Sequence, residues 1–87
     1  GESIDELLSK LKLDPNNKSL ILEIAQKYFS LNQNEEGFEK LLELFNRDSK
    51  WNSEIAKKKL LEYFDLLGFN DPNVIIARKK LSSMMFK

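Results

Sequence analysis

Residues 18–47 read KSLILEIAQKYFSLNQNEEGFEKLLELFNR, and this stretch decides the fold. Leu20, Ile21, Ile24, Ala25, Tyr28 and Leu31 recur at three- and four-residue steps and give one broad apolar face. They predict a helix over about 17–31. Asn32-Gln33-Asn34 is a polar turn. Phe38, Leu41, Leu42, Leu44 and Phe45 then set the apolar side of a second helix, over about 35–47. Glu35, Glu36 and Glu39 crowd its start, where the positive end of the helix dipole favours acids. Gly37 lies inside this helix, where glycine costs about 1 kcal/mol relative to alanine. A glycine makes sense there if a neighbouring helix approaches closely. The short link makes the two helices an antiparallel hairpin.

The flanks continue the pattern. Asp14-Pro15-Asn16-Asn17 is a break upstream, because proline disfavours helix at the residue before it. Before the break, Ser3 and Glu6 match a capping box, and Ile4, Leu7, Leu8 and Leu11 share a face, so a helix is expected over about 3–13. Downstream, 48–52 reads as a second break. A fourth helix follows over about 53–67, with Ile55, Ala56, Leu60, Phe64 and Leu67 on one side. Gly68 stands at its end, where a C-cap glycine belongs. Asp71 as N-cap and Pro72 at the first helical position start a last helix that runs to about 85. Val74, Ala77, Leu81 and Met84 form its inward stripe. The reading is an all-α domain spanning 1–87, of about five antiparallel helices packed as helical hairpins.

Composition narrows the chemistry. The chain has 87 residues, 14 basic and 14 acidic, with no cysteine and no histidine. It therefore offers no thiolate site, no cysteine nucleophile, no disulfide and no imidazole base or ligand. The zero formal charge argues against nucleic-acid binding, which calls for a basic excess. No apolar run reaches the roughly 18 residues of a membrane-spanning helix. Glu35, Glu36, Glu39 and Glu43 form no catalytic constellation, and no phosphate loop or metal loop is present. No enzyme activity, cofactor or metal is expected. The zero charge is itself a cancellation. Residues 1–50 hold seven basic and ten acidic groups, net −3, and residues 51–87 hold seven and four, net +3.

The hairpin beginning at Lys18 fills a unit of about 34 residues, the period of a tetratricopeptide repeat. Ala25, Tyr28 and Gly37 stand where that motif places small and aromatic residues, and Leu41 and Leu44 follow at its offsets. Farther along come Leu42-Glu43-Leu44-Phe45, Arg47-Asp48, Trp51, Lys59-Leu60-Leu61-Glu62-Tyr63-Phe64, Leu67-Gly68, Asp71-Pro72 and Arg78-Lys79-Lys80-Leu81-Ser82-Ser83-Met84-Met85-Phe86. In this order they resemble the C-terminal tetratricopeptide-like region of bacterial thioredoxin-family co-chaperones, the chaperedoxins. That family commonly carries alanine near Gly37 and a second arginine where this chain has Lys79. The resemblance implies a TPR-like, non-catalytic interaction module of a cytoplasmic holdase. It implies partners that are unfolded or partly folded clients and the chaperonin, and a thioredoxin-like domain upstream in a longer parent. The start at Gly1, without an initiator methionine, agrees with a domain cut from such a parent. Neither nucleic acid nor membrane is implied. Two other roles fit the same residues: a stand-alone adaptor that binds an extended peptide in a concave groove, and an oligomerisation or scaffold domain that self-associates.

The candidate partner-binding residues are Ile75, Ile76, Arg78, Lys79, Phe86 and Trp51. With Val74, Ala77, Leu81 and Met84 turned inward, helical geometry aims Ile75 and Phe86 elsewhere. Either a neighbouring element covers them or the last helix offers apolar and basic groups to a partner. Trp51 is either a plug between the third and fourth helices or a surface anchor. Lys57-Lys58-Lys59 is either a solvated helix face or a contact for an acidic partner.

Overall fold

A computed structural model describes residues 1–86. Among the described residues it contains five helices: α1 (Ile4–Leu13), α2 (Lys18–Ser30), α3 (Asn34–Arg47), α4 (Trp51–Leu67) and α5 (Pro72–Met85). The start signals act as their chemistry requires. The Ser3 hydroxyl accepts from the Glu6 N–H, and the Glu6 carboxylate accepts from the Ser3 N–H. The Asn17 side chain accepts from the Leu20 N–H. The Asp71 carboxylate accepts from the N–H groups of Asn73 and Val74. Each bond satisfies a donor that the first turn of a helix leaves free.

The helices form two layers, as the molecule's thin dimension of 18 Å reflects. α3 is central and packs against α2, α4 and α5, while α1 leans on α2. The main cluster joins Ala25 and Phe29 of α2 to Phe38, Leu41 and Leu42 of α3, Leu60 and Phe64 of α4, and Val74, Ala77 and Leu81 of α5. Leu7, Leu20 and Ile24 close the α1–α2 side. Among the described residues the core holds no buried polar or charged side chain. Expected and observed faces differ at one end of α2. Phe29 turns into the core, whereas Leu31, the C-cap residue, is 46% exposed. Leu31 closes the last turn, its N–H donating to the carbonyls of Lys27 and Tyr28, and Asn32 with φ 60° then turns the chain away.

The expected closeness at Gly37 is real. A Cβ on Gly37 would lie 2.6 Å from the nearest carbon of the Phe29 ring. Gly37 is therefore the place where α2 and α3 approach through an aromatic ring. The Phe29 ring also stacks on Tyr63, centroid to centroid 3.7 Å and 9° from parallel, and meets Phe38 edge-on at 4.9 Å.

α4 begins differently from its sequence pattern. Asn52, Ser53 and Glu54 have φ of 50°, 56° and 63°, so this turn is left-handed and right-handed helix begins only after it. Left-handed backbone costs an L-residue roughly 1–2 kcal/mol, and glycine is spared this. The turn is held by its neighbours: Trp51 packs into the cluster of Ile21, Leu44 and Ala56. The exposed Ser53→Gly variant is accordingly expected to raise stability by about 1 kcal/mol, whereas glycine inside an ordinary helix lowers it by that amount. Thermal unfolding of the two proteins gives the sign directly.

Candidate interaction surface

The outward side of α5 is a stripe at helical spacing. Ile75, Arg78, Lys79 and Ser82 line one shallow groove, and Phe86 follows one turn past Ser82. The exposures are 51% for Ile75 and 82% for Phe86. The inward stripe of Val74, Ala77 and Leu81 is buried as expected, with Met84 packed against it. Isoleucine and phenylalanine thus stand uncovered on the same helix that anchors the core.

The structure separates the other candidates. Ile76, 52% exposed, faces away from Ile75 into the groove between α5 and α3, beside Glu35, Phe38, Glu39 and Lys80. Trp51 is half-buried against Ile21, Leu44 and Ala56, with Leu11 and Phe45 beside it. It seals the join of α3 and α4 and is not part of the α5 stripe. Phe86 lies about 16 Å along the helix axis from Ile75, near a polar cleft. That cleft is lined by Arg47, Lys50, Glu54, Lys57, Met84 and Met85 among others. The three lysines of the basic run go three ways: Lys57 lines the cleft, Lys58 is exposed and Lys59 pairs with Glu62 at 3.4 Å.

Sequence reasoning missed two residues of this surface. Leu61 and Phe69, 49% and 72% exposed, line a second groove between α4 and α5 together with Phe64, Asp65, Val74 and Arg78. Arg78 borders both grooves, so Leu61, Phe69 and Ile75 flank one guanidinium. The signal was available. Leu61 falls off the inward face set by Leu60 and Phe64, and Phe69 stands beyond the helix-ending Gly68, whose φ is 90°.

Arg78, Lys79 and Lys80 make no ion pair among the described residues. Some acids elsewhere are engaged. The Glu43 carboxylate accepts from Lys40 and Arg47, and Arg47 also donates to the Asn16 side chain at 2.8 Å. Lys18 donates to Asp48 at 3.0 Å, tying the start of α2 to the turn after α3. That hydrogen bond is the main reason the Asp48 carboxyl is held below its ordinary value. These exposed pairs add little to stability. Among the described residues no group of carboxylates is placed to hold a metal ion, and no helix is long and apolar enough to cross a membrane.

What remains is a stack of helical hairpins with an uncovered apolar and cationic side. A family model described as tetratricopeptide repeat matches residues 1–86. No curated protein and no solved structure matches the chain. Tetratricopeptide repeats are typically non-catalytic and work by contacting other proteins, so this fold points to protein partners. The family match takes in all five helices, and the chain belongs to the tetratricopeptide repeat family.

Proposed function

We propose that this chain is the non-catalytic interaction module of a thioredoxin-like co-chaperone of the cytoplasm. In this reading a thioredoxin-like domain lies upstream in the parent protein, and the partners are unfolded or partly folded clients and the chaperonin. The residue order from Leu42 to Phe86 supports the family part of the reading. The observation that carries the binding part is the uncovered side of the terminal hairpin. On that side Leu61, Phe69 and Ile75 are 49%, 72% and 51% exposed, while Ile76 is uncovered on another face of α5 and Phe86 just past its end. Apolar groups uncovered together on one side of a helical stack are explained by a partner that covers them.

The contact is non-covalent. Apolar segments of a client dock on Leu61, Phe69 and Ile75, and Arg78 and Lys79 steer acidic partners toward them. Covering the exposed part of each large apolar side chain adds up to about 1–2 kcal/mol. A few such contacts suffice for weak, reversible capture.

The test is suppression of aggregation. Reduced, unfolded lysozyme is diluted into buffer with increasing amounts of this chain, and light scattering is recorded. The wild-type chain should lower scattering in a dose-dependent way. The Leu61→Ser, Phe69→Ser, Ile75→Ser triple variant should lose most of this effect while keeping its helical circular dichroism. Equal suppression by a folded triple variant would overturn the assignment of the surface.

A further inference from the structure

We propose that two copies of this chain form a symmetric dimer through the groove between α4 and α5, with Asp65 of each copy paired to Arg78 of the other. The inference needs only a second copy. It is independent of the client reading, although it uses the same side of the molecule.

The groove has two walls. Leu61 and Asp65 stand one turn apart on α4, and Arg78 stands on α5, one turn beyond Val74. Phe69, from the link between the two helices, lines the same groove, and Ile75 shares the adjoining groove with Arg78. Among the described residues that line the α4–α5 groove, only Asp65 and Arg78 carry charge. Both are exposed, and neither takes part in an ion pair among the described residues.

Asp65 also stands in a poor place for an acid. It lies in the last turn of α4, where the negative end of the helix dipole disfavours a carboxylate. That turn holds no basic residue to offset it. An acid with a local cost and no partner in its own chain is explained by a cation from outside.

A second copy supplies that cation. A side that holds one acid and one base beside apolar groups is complementary to itself. A twofold axis through the groove sets the α4 wall of each copy against the α5 wall of the other. Two Asp65–Arg78 contacts then form at once, and Leu61 and Phe69 of one copy approach Ile75 of the other. A client segment of either sign satisfies one of the two charges, whereas a second copy satisfies both. Because the same patch is used on both partners, the assembly closes at two.

Sedimentation equilibrium of the full chain tests this. The average mass should rise with concentration and level off at twice the 10.2 kDa of one chain. Asp65→Lys sets cation against cation at both contacts, and Arg78→Glu sets acid against acid. Each should weaken association by about tenfold or more. Mixing the two variants in equal amounts should restore it, because the mixed pair has one native Asp65–Arg78 contact and one with its charges exchanged. Should either reversal lose its helical circular dichroism, Asp65→Asn and Arg78→Gln take their place, and each is expected to weaken association in the same direction. A mass that stays at one chain, growth past two chains, undiminished association of the folded variants, or a mixture that fails to reassociate would overturn the proposal. Asp65→Lys keeps Leu61, Phe69 and Ile75, so it should still suppress the scattering of lysozyme. A monomeric wild-type chain leaves that experiment unaffected, so the two ideas fail separately.

Discussion

Phe29→Ala is expected to lower the stability of this chain by about 3–5 kcal/mol, the range for removing a well-packed phenylalanine. Three helices meet on this ring. It belongs to α2, stacks on Tyr63 of α4, stands edge-on to Phe38 of α3 and covers the Gly37 backbone. Truncation removes the buried ring and both aromatic pairs, each worth about 0.5–1.5 kcal/mol beyond its area. It also leaves a cavity above a residue that has no side chain with which to fill it. A domain of this size has roughly 4–13 kcal/mol to lose, so the variant stands near the limit of folding at room temperature. Urea unfolding followed by far-ultraviolet circular dichroism measures the loss. Trp51 fluorescence is a second probe, because Trp51 belongs to a different cluster from Phe29. A loss below about 1 kcal/mol would mean that the ring is not the junction of α2, α3 and α4.

The second large effect runs against helix propensity. Gly37→Ala in the middle of α3 should gain about 1 kcal/mol if only backbone preference mattered. Here it is expected to cost about 1–2 kcal/mol net, because the new methyl group meets three atoms of the Phe29 ring at 2.6 to 2.8 Å. A ring at the end of a side chain ordinarily swings aside at little cost. This one is held on its face by Tyr63 and at its edge by Phe38. The ring is therefore the cause, and a double-mutant cycle exposes it. In a Phe29→Leu background, Gly37→Ala should become neutral or stabilising. The same penalty in both backgrounds would show that something other than Phe29 occupies the space.

These two positions also show how far the sequence could be read. Gly37 announced a close approach, because a glycine inside a helix with a strong apolar face has a local cost that needs a reason. The sequence did not say which residue approaches. Tyr28 and Phe29 are adjacent aromatics on one helix, and only the docking of α3 and α4 turns Phe29 inward. The helix ends were legible wherever a cap is a local hydrogen bond, as at Ser3, Asn17 and Asp71. The left-handed turn at Asn52, Ser53 and Glu54 was not. Nothing in those residues demands it, and Trp51 packing against Ile21 and Ala56 is a tertiary cause. The α5 stripe was half visible. Periodicity puts Ile75 off the inward face, but it is silent on whether a neighbour covers it. Leu61 and Phe69 went unnoticed because they belong to no stripe of their own. They join Ile75 only where α4 and α5 turn back on each other.

The central place of α3 has a consequence in time. Its partners α2, α4 and α5 are never more than two helices away along the chain, and α1 leans on its immediate neighbour. Contacts so close in sequence require only short loops to close, which places helical proteins of this topology among those that fold in microseconds to milliseconds. The order of assembly can also follow the order of synthesis. The α2–α3 hairpin holds Gly37 and the Phe29–Phe38 pair, and the stack of Phe29 on Tyr63 forms only when α4 joins it.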